Sequence, residues 1–236
     1  MKICVFTDNS YIFEGFCALL PRFEEHSFDF FYSPWNHAFT PSVRFRPLRL
    51  REQTREFYDS YDLFLSLHSK QLFPNELEET KLCVNVHPGL NPYNRGWFPQ
   101  VFSILNGLPC GVTIHKMDAQ LDHGPIAWQE EVPQYPWDTS RDVYERILAK
   151  EIELLDKHLG DLLMGNYTLT PMAGEGNINY KADFDALCPI DLSEPATYGA
   201  VIDRLRALTH APYENAYFVD EDGKKVYVGI TLRKED

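Results

Sequence analysis

The stretch Lys2-Ile3-Cys4-Val5-Phe6-Thr7-Asp8-Asn9-Ser10 decides the fold: an unbroken apolar run passes into a polar tetrad, then Tyr11-Ile12-Phe13 and Cys17-Ala18-Leu19-Leu20 follow at near-helical spacing. Strand, polar loop and helix in that order are how a doubly wound α/β domain opens. A short continuous apolar run suits a parallel strand buried on both faces. Asp8, Asn9 and Ser10 then stand at the strand's carboxyl end, beside a helix N-terminus that can receive an anion. Asn9 is the candidate ligand contact there, with capping of the helix as an equal alternative. The glycine fingerprint G-x-G-x-x-G is missing, so a dinucleotide cofactor is not indicated.

Outward from this stretch the pattern returns twice. Leu63-Phe64-Leu65-Ser66-Leu67 runs into the polar loop His68-Ser69-Lys70-Gln71-Leu72-Phe73-Pro74, and Leu82-Cys83-Val84-Asn85-Val86 runs into His87-Pro88-Gly89-Leu90-Asn91-Pro92-Tyr93-Asn94-Arg95-Gly96. Ser27–Tyr32 reads as a further strand and residues 33–47 as irregular. Trp97, Val101, Ile104 and Leu105 predict a helix over 96–105, with Pro99 in its first turn, where a missing N–H is tolerated. Cys110–His115 and Ile126–Val132 read as strands around a second polar loop, Lys116–Pro125. Thr139 and Ser140 can cap a long helix whose stripe is Val143, Ile147, Ile152, Leu155, Leu159 and Leu162 and whose end is Gly165-Asn166.

Tyr167–Thr170 reads as a brief strand and Met172–Asn177 as a flexible glycine-rich segment. Beyond them lie a helix over Thr197–Thr209 and a hairpin of Asn215–Val219 with Lys225–Thr231, turning at Glu221-Asp222-Gly223. The expected class is α/β, a Rossmann-like, mostly parallel sheet with a short C-terminal helix and β-hairpin. Residues 1–176 form the expected catalytic domain and 177–236 a small C-terminal unit.

Composition narrows the function. A formal net charge of -13 opposes a polyanionic partner, so nucleic acid is not expected. Five cysteines, odd in number and without a C-x-x-C pair, indicate neither a disulfide framework nor a zinc ribbon and fit a reducing cytoplasm. No apolar run approaches the ~20 residues that span a bilayer, so no membrane partner is expected.

The chemistry gathers in the two polar loops. Asn85 and His87, two residues apart at a strand end, project to the same side. If Asp122 converges on them, the site combines an amide donor, an imidazole and a carboxylate that orients it. No activated serine and no metal-ligand cluster competes. Such a trio suits acyl transfer to a nucleophile supplied by a substrate, the imidazole handling protons and the amide N–H facing the oxyanion. His115 and His123 are further candidates by composition, and strand-end capping is the plain alternative for each of these residues.

At these residues the chain resembles the N10-formyltetrahydrofolate-dependent formyltransferases. The family pattern is N-x-H, a Pro-containing loop ending in R-G or K-G, a downstream Thr, and D-x-x-x-D-x-G. Here it is met by Asn85-Val86-His87, Pro92-Tyr93-Asn94-Arg95-Gly96, Thr113 and Asp118-Ala119-Gln120-Leu121-Asp122-His123-Gly124. The resemblance spans about residues 1–165 and implies Asn85, His87 and Asp122 as catalytic residues. It further implies that Gln71, Leu72, Phe73 and the loop at Asp118 hold the folate, N10-formyltetrahydrofolate acting as co-substrate without a metal.

The full Asn91–Gln100 stretch and the short tail are most similar to the sugar N-formyltransferases, notably those acting on dTDP-4-amino-4,6-dideoxyglucose for surface polysaccharide (O-antigen). That implies a dTDP-linked amino sugar as acceptor, contacted by Asn9, Lys70, Tyr93, Asn94 and Arg95, and a homodimer formed through the C-terminal segment. The rival readings are a formyltetrahydrofolate hydrolase using the same trio on water, and transfer to another small amine.

Overall fold

The computed structural model describes residues 1–42 and 44–235. In chain order its first half contains β1 (Lys2–Thr7), α1 (Ser10–Leu19), β2 (Ser27–Tyr32), β3 (Phe45–Pro47), α2 (Arg55–Asp59), β4 (Leu63–Leu67), α3 (Asn75–Thr80), β5 (Leu82–His87), β6 (Arg95–Gly96) and α4 (Pro99–Asn106). The second half adds β7 (Cys110–Lys116), β8 (Ile126–Val132), α5 (Ser140–Met164), β9 (Ile178–Asn179), α6 (Lys181–Leu187), α7 (Tyr198–Leu208), β10 (Thr209–His210), β11 (Tyr213–Glu214), β12 (Tyr217–Val219) and β13 (Lys225–Tyr227).

Seven strands make the central sheet, ordered β3-β2-β1-β4-β5-β7-β8. Strands β3 to β5 run parallel, and β7 and β8 continue the sheet antiparallel. The apolar runs behave as their composition dictates. Every residue of β4 is buried, and the side chains of β1 and β4 divide between two cores on opposite sheet faces. Ile3, Val5, Leu63 and Leu65 face one core, and Cys4, Phe6 and Phe64 face the other.

Helix α5 covers the first of these faces through Val143, Ile147, Leu155 and Leu159. Its N-terminus is closed by a capping box in which Thr139 and Asp142 exchange hydrogen bonds, and Gly165 ends it in the left-handed conformation at φ 73°. Among the described residues, no helix is long and apolar enough to cross a membrane.

Three segments depart from the sequence expectation. Phe45–Pro47 is a short edge strand within the stretch read as irregular; it joins β2 over only three residues, too few to show a period. Of Tyr167–Thr170, only Thr170 reaches the sheet, as a single bridge to Ile126. The glycine-rich Met172–Asn177 is held in place: the Asn177 N–H donates to Pro92, its side chain bonds Asn94, and β9 pairs with β6 immediately afterwards. A β-carbon at Gly176 would collide with the Pro92 carbonyl, so here glycine serves a close backbone approach.

Candidate active site

The carboxyl ends of β1, β4 and β5 lie side by side, and chain order reverses between β1 and β4. Open α/β sheets bind ligands in the crevice at such a switch point. Thr7 leads there into Asp8-Asn9, Leu67 into His68, and β5 ends on His87.

Asp122 is the hub. Its Oδ1 accepts from Asn85 Nδ2 at 3.0 Å, and its Oδ2 accepts from the Gly96 N–H at 3.1 Å. His87 Nδ1 stands 3.5 Å from Oδ2, and His115 Nε2 3.7 Å from Oδ1. The Asp122 carbonyl accepts from Asn91 Nδ2 at 2.8 Å, which holds a residue whose φ of 48° is unusual for anything but glycine. Loop and strand are thereby fastened together.

Burial alone would raise the Asp122 carboxyl, but the charges of His87 and His115 and the Gly96 N–H outweigh it and hold the group at about 2. Burial pushes His87 down to about 4 against the opposing pull of Asp122. At neutral pH a carboxylate therefore faces a neutral imidazole. The His87 proton resides on Nδ1, toward Asp122, and Nε2 presents its lone pair. That Nε2 is buried and has no hydrogen-bond partner among the described residues.

A β-carbon at Gly89 would run into His87 Nε2. Gly89→Ala is accordingly expected to turn the ring and lower kcat by about 100-fold, since proton transfer by a positioned side chain contributes that much or more. Steady-state kinetics beside a thermal melt will check it, the melt shifting by only a few degrees.

His115 belongs to the same cluster. It pairs across the sheet with Asn85, its Nδ1 faces the Lys116 carbonyl at 3.0 Å, and its Nε2 faces Asn85 Nδ2 at 3.3 Å. A carbonyl beside Nδ1 requires a proton there, so Nε2 accepts from Asn85. Both N–H bonds of Asn85 are thus directed, one at Asp122 and one at His115.

The remaining predicted residues divide. Asn94 is fully buried at φ 49°, and its amide is bonded by Ser103, Asn106, Asn177 and Asn179. Arg95 is buried too, donating to the carbonyls of Leu121 at 3.3 Å and Glu175 at 3.0 Å. Both side chains, expected at the acceptor, are turned inward here and fix the shape of the loop. Tyr93 is half-buried beside them.

Asn9 caps α1 through the Ile12 N–H and donates to the Tyr144 hydroxyl at 3.0 Å. The Lys70 N–H donates to Asp8, and its side chain is exposed. The Gln71 amide bridges Leu48 and Leu50, Leu72 is exposed, and Phe73 packs in the core against Phe6. Asp118 pairs with His123 at 2.9 Å and, with Glu78, Met117, Ala119 and Pro125, lines a cavity of about 190 Å³.

Sequence reading overlooked a second buried cluster. His68 Nε2 lies 2.7 and 2.8 Å from the two oxygens of Glu151, and His68 Nδ1 lies 3.3 Å from the Tyr144 hydroxyl. Glu151 is completely buried, which is rare for a carboxylate. The signal was available: Glu151 is four residues from both Ile147 and Leu155, inside the helix's apolar stripe.

A doubly wound sheet with a carboxylate, an amide and two imidazoles converging at its strand ends defines a proton-managing acyl-transfer enzyme. Known proteins sharpen that class. The profile described as "Formyl transferase" matches residues 62–159, and the "N-formyltransferase dimerization C-terminal domain" matches residues 183–234. The dTDP-4-amino-4,6-dideoxyglucose formyltransferase of Mycobacterium tuberculosis is 52% identical over 184 residues, 78% of this chain and 79% of that protein.

A 4-N formyltransferase from Francisella tularensis superposes with a TM-score of 0.95 at 44% identity, covering 99% of this chain and 98% of its own. A sugar N-formyltransferase from a Shewanella species also gives 0.95, at 39% identity, covering 100% and 99%. The chain belongs to the formyltransferases, and within them to the sugar N-formyltransferases.

Proposed function

We propose that the enzyme moves a formyl group from N10-formyltetrahydrofolate to the amine of a nucleotide-linked amino-dideoxysugar, dTDP-4-amino-4,6-dideoxyglucose first among them. The observation that carries this reading is the free lone pair of His87 Nε2, backed by an ionised Asp122 and adjoining Asn85. As the amine attacks the formyl carbon, His87 takes a proton from the amine nitrogen and returns one to the folate nitrogen. Of the two Asn85 hydrogen bonds, the one to His115 is the longer, so that N–H turns to the developing oxyanion.

On the donor side, the loop at Leu72 and the cavity beside Asp118 hold the folate. The acceptor lies over the β1–β4 crevice near Asn9, Lys70 and Tyr93, in a pocket whose rim Asn94 and Arg95 shape. The product serves surface polysaccharide, and the enzyme works in the cytoplasm. It works as a homodimer joined through the C-terminal unit, where Leu192, Tyr198, Val201, Ile202, Val219 and Tyr227 leave apolar surface exposed.

Incubation with 10-formyltetrahydrofolate and a panel of nucleotide-linked 3-amino and 4-amino sugars tests the assignment. Mass spectrometry should find formylation fastest on the dTDP-linked 4-amino-4,6-dideoxyglucose. A faster reaction with a 3-amino sugar, or with a uridine nucleotide, would overturn the acceptor.

A further inference from the structure

Formyl transfer to an amine leaves one proton over. An aliphatic amine is largely protonated near neutrality, and it must shed two protons to become a formamide N–H. His87 accounts for one, carried from the amine to the folate nitrogen. The other needs a base of its own, before attack, because an ammonium has no lone pair.

A buried cluster stands beside the crevice proposed for the acceptor. Strand β4 lies between β1 and β5, so His68 stands one strand from Asn9 and one from His87. Asn9 Oδ1 accepts from the Ile12 N–H at 3.1 Å, which fixes its amide so that Nδ2 donates to the Tyr144 hydroxyl. The remaining partner for the Tyr144 O–H among the described residues is His68 Nδ1. With two carboxylate oxygens against it, His68 Nε2 carries the ring proton. The hydrogen bonds then run one way, from Asn9 through Tyr144 and His68 to Glu151. His68 is held at φ 60°, a strained conformation of the kind that collects at functional sites.

We propose that Tyr144, His68 and Glu151 form a second proton relay that deprotonates the acceptor. The substrate ammonium gives a proton to the Tyr144 oxygen while the Tyr144 O–H passes its own to His68 Nδ1. The products are a neutral amine, an unchanged tyrosine and an imidazolium–carboxylate pair, which returns its proton to solvent after turnover. Burial pushes the Tyr144 phenol up, so Tyr144 conducts the proton without being left ionised. Burial also raises the Glu151 carboxyl, opposed by His68. The other titratable groups that face the relay are His87, with Asp122, His115 and Arg95 behind it, and His210 and Tyr213 beside Tyr144. Asp8 adjoins His68 through its backbone, and its carboxylate is already engaged by Ser33, Asn36 and Lys70.

The inference rests on the formyl-transfer reading and is tested by the pH profile of kcat/KM for the amino sugar in wild type, Tyr144→Phe and Glu151→Gln. Near pH ~6.5 both variants should lose about 100-fold, and near pH ~9.5, where the amine arrives neutral, they should come within a few-fold of wild type. The KM for 10-formyltetrahydrofolate should not move. A loss of equal size at every pH, or no loss, overturns the relay. If Glu151→Gln melts below the assay temperature, Tyr144→Phe, which keeps the ring in place, decides alone. Failure of the underlying reading looks different: wild type would then formylate no amino sugar at any pH.

Discussion

Asp122→Asn is expected to lower kcat by about 10³- to 10⁴-fold, the loss typical when an orienting carboxylate becomes an amide beside a catalytic imidazole. The carboxylate accepts from Asn85 and Gly96 and faces His87 and His115 at once. An amide of the same shape puts an NH₂ where one of those donors points. If the NH₂ takes the Oδ2 position, it meets the Gly96 N–H and favours the His87 tautomer with its proton on Nε2, which leaves the imidazole no lone pair to accept the amine's proton. If it takes the Oδ1 position, it opposes the Asn85 N–H. Rapid-quench kinetics with saturating substrates will measure the step; a kcat within tenfold of wild type would remove Asp122 from the centre of the mechanism.

His87→Gln should cost about 10²- to 10⁴-fold in kcat, because an amide cannot take up the proton that the unpartnered Nε2 lone pair accepts. It should also change the pH dependence of stability. Burial depresses His87 to about 4, below the ~6.5 of an unfolded histidine. Between those values the unfolded chain binds a proton that the folded chain refuses. Stability from this group is therefore complete above ~6.5 and declines as pH falls toward 4. Thermal melts across that range should show a shallower slope for His87→Gln than for wild type. For the same reason His87 keeps its Nε2 lone pair free well below neutrality.

What could be read without coordinates follows from the range of the physics involved. Strands β1, β4 and β5 are continuous apolar runs, and their burial on both sides needs only local composition to foresee. Asn85 and His87 are set by a two-residue period on one strand end. Asp122 was reachable because carboxylate chemistry completes theirs and because the motif around it is shared with a family. His115 was a candidate by composition alone, and its place beside Asn85 depends on the antiparallel register between their strands, which no local pattern encodes.

Asn94 and Arg95 show the converse. Polar side chains in a glycine-flanked loop resemble ligand contacts in a sequence, and only the packing of Met172–Asn177 against that loop reveals that they serve it. His68 and Glu151 lie 83 residues apart, and their pairing is a product of α5 crossing the sheet. Even so, a glutamate in the apolar stripe was a local contradiction, and such contradictions mark functional positions.

In the proposed reaction the cluster around Asp122 and His87 directs the formyl group to an amine. It is tested most directly by following tetrahydrofolate and formate together, with and without dTDP-4-amino-4,6-dideoxyglucose. One tetrahydrofolate should appear for each formamido sugar, with negligible turnover when the sugar is omitted. Steady release of formate at a rate indifferent to the sugar would contradict it and assign the cluster to hydrolysis.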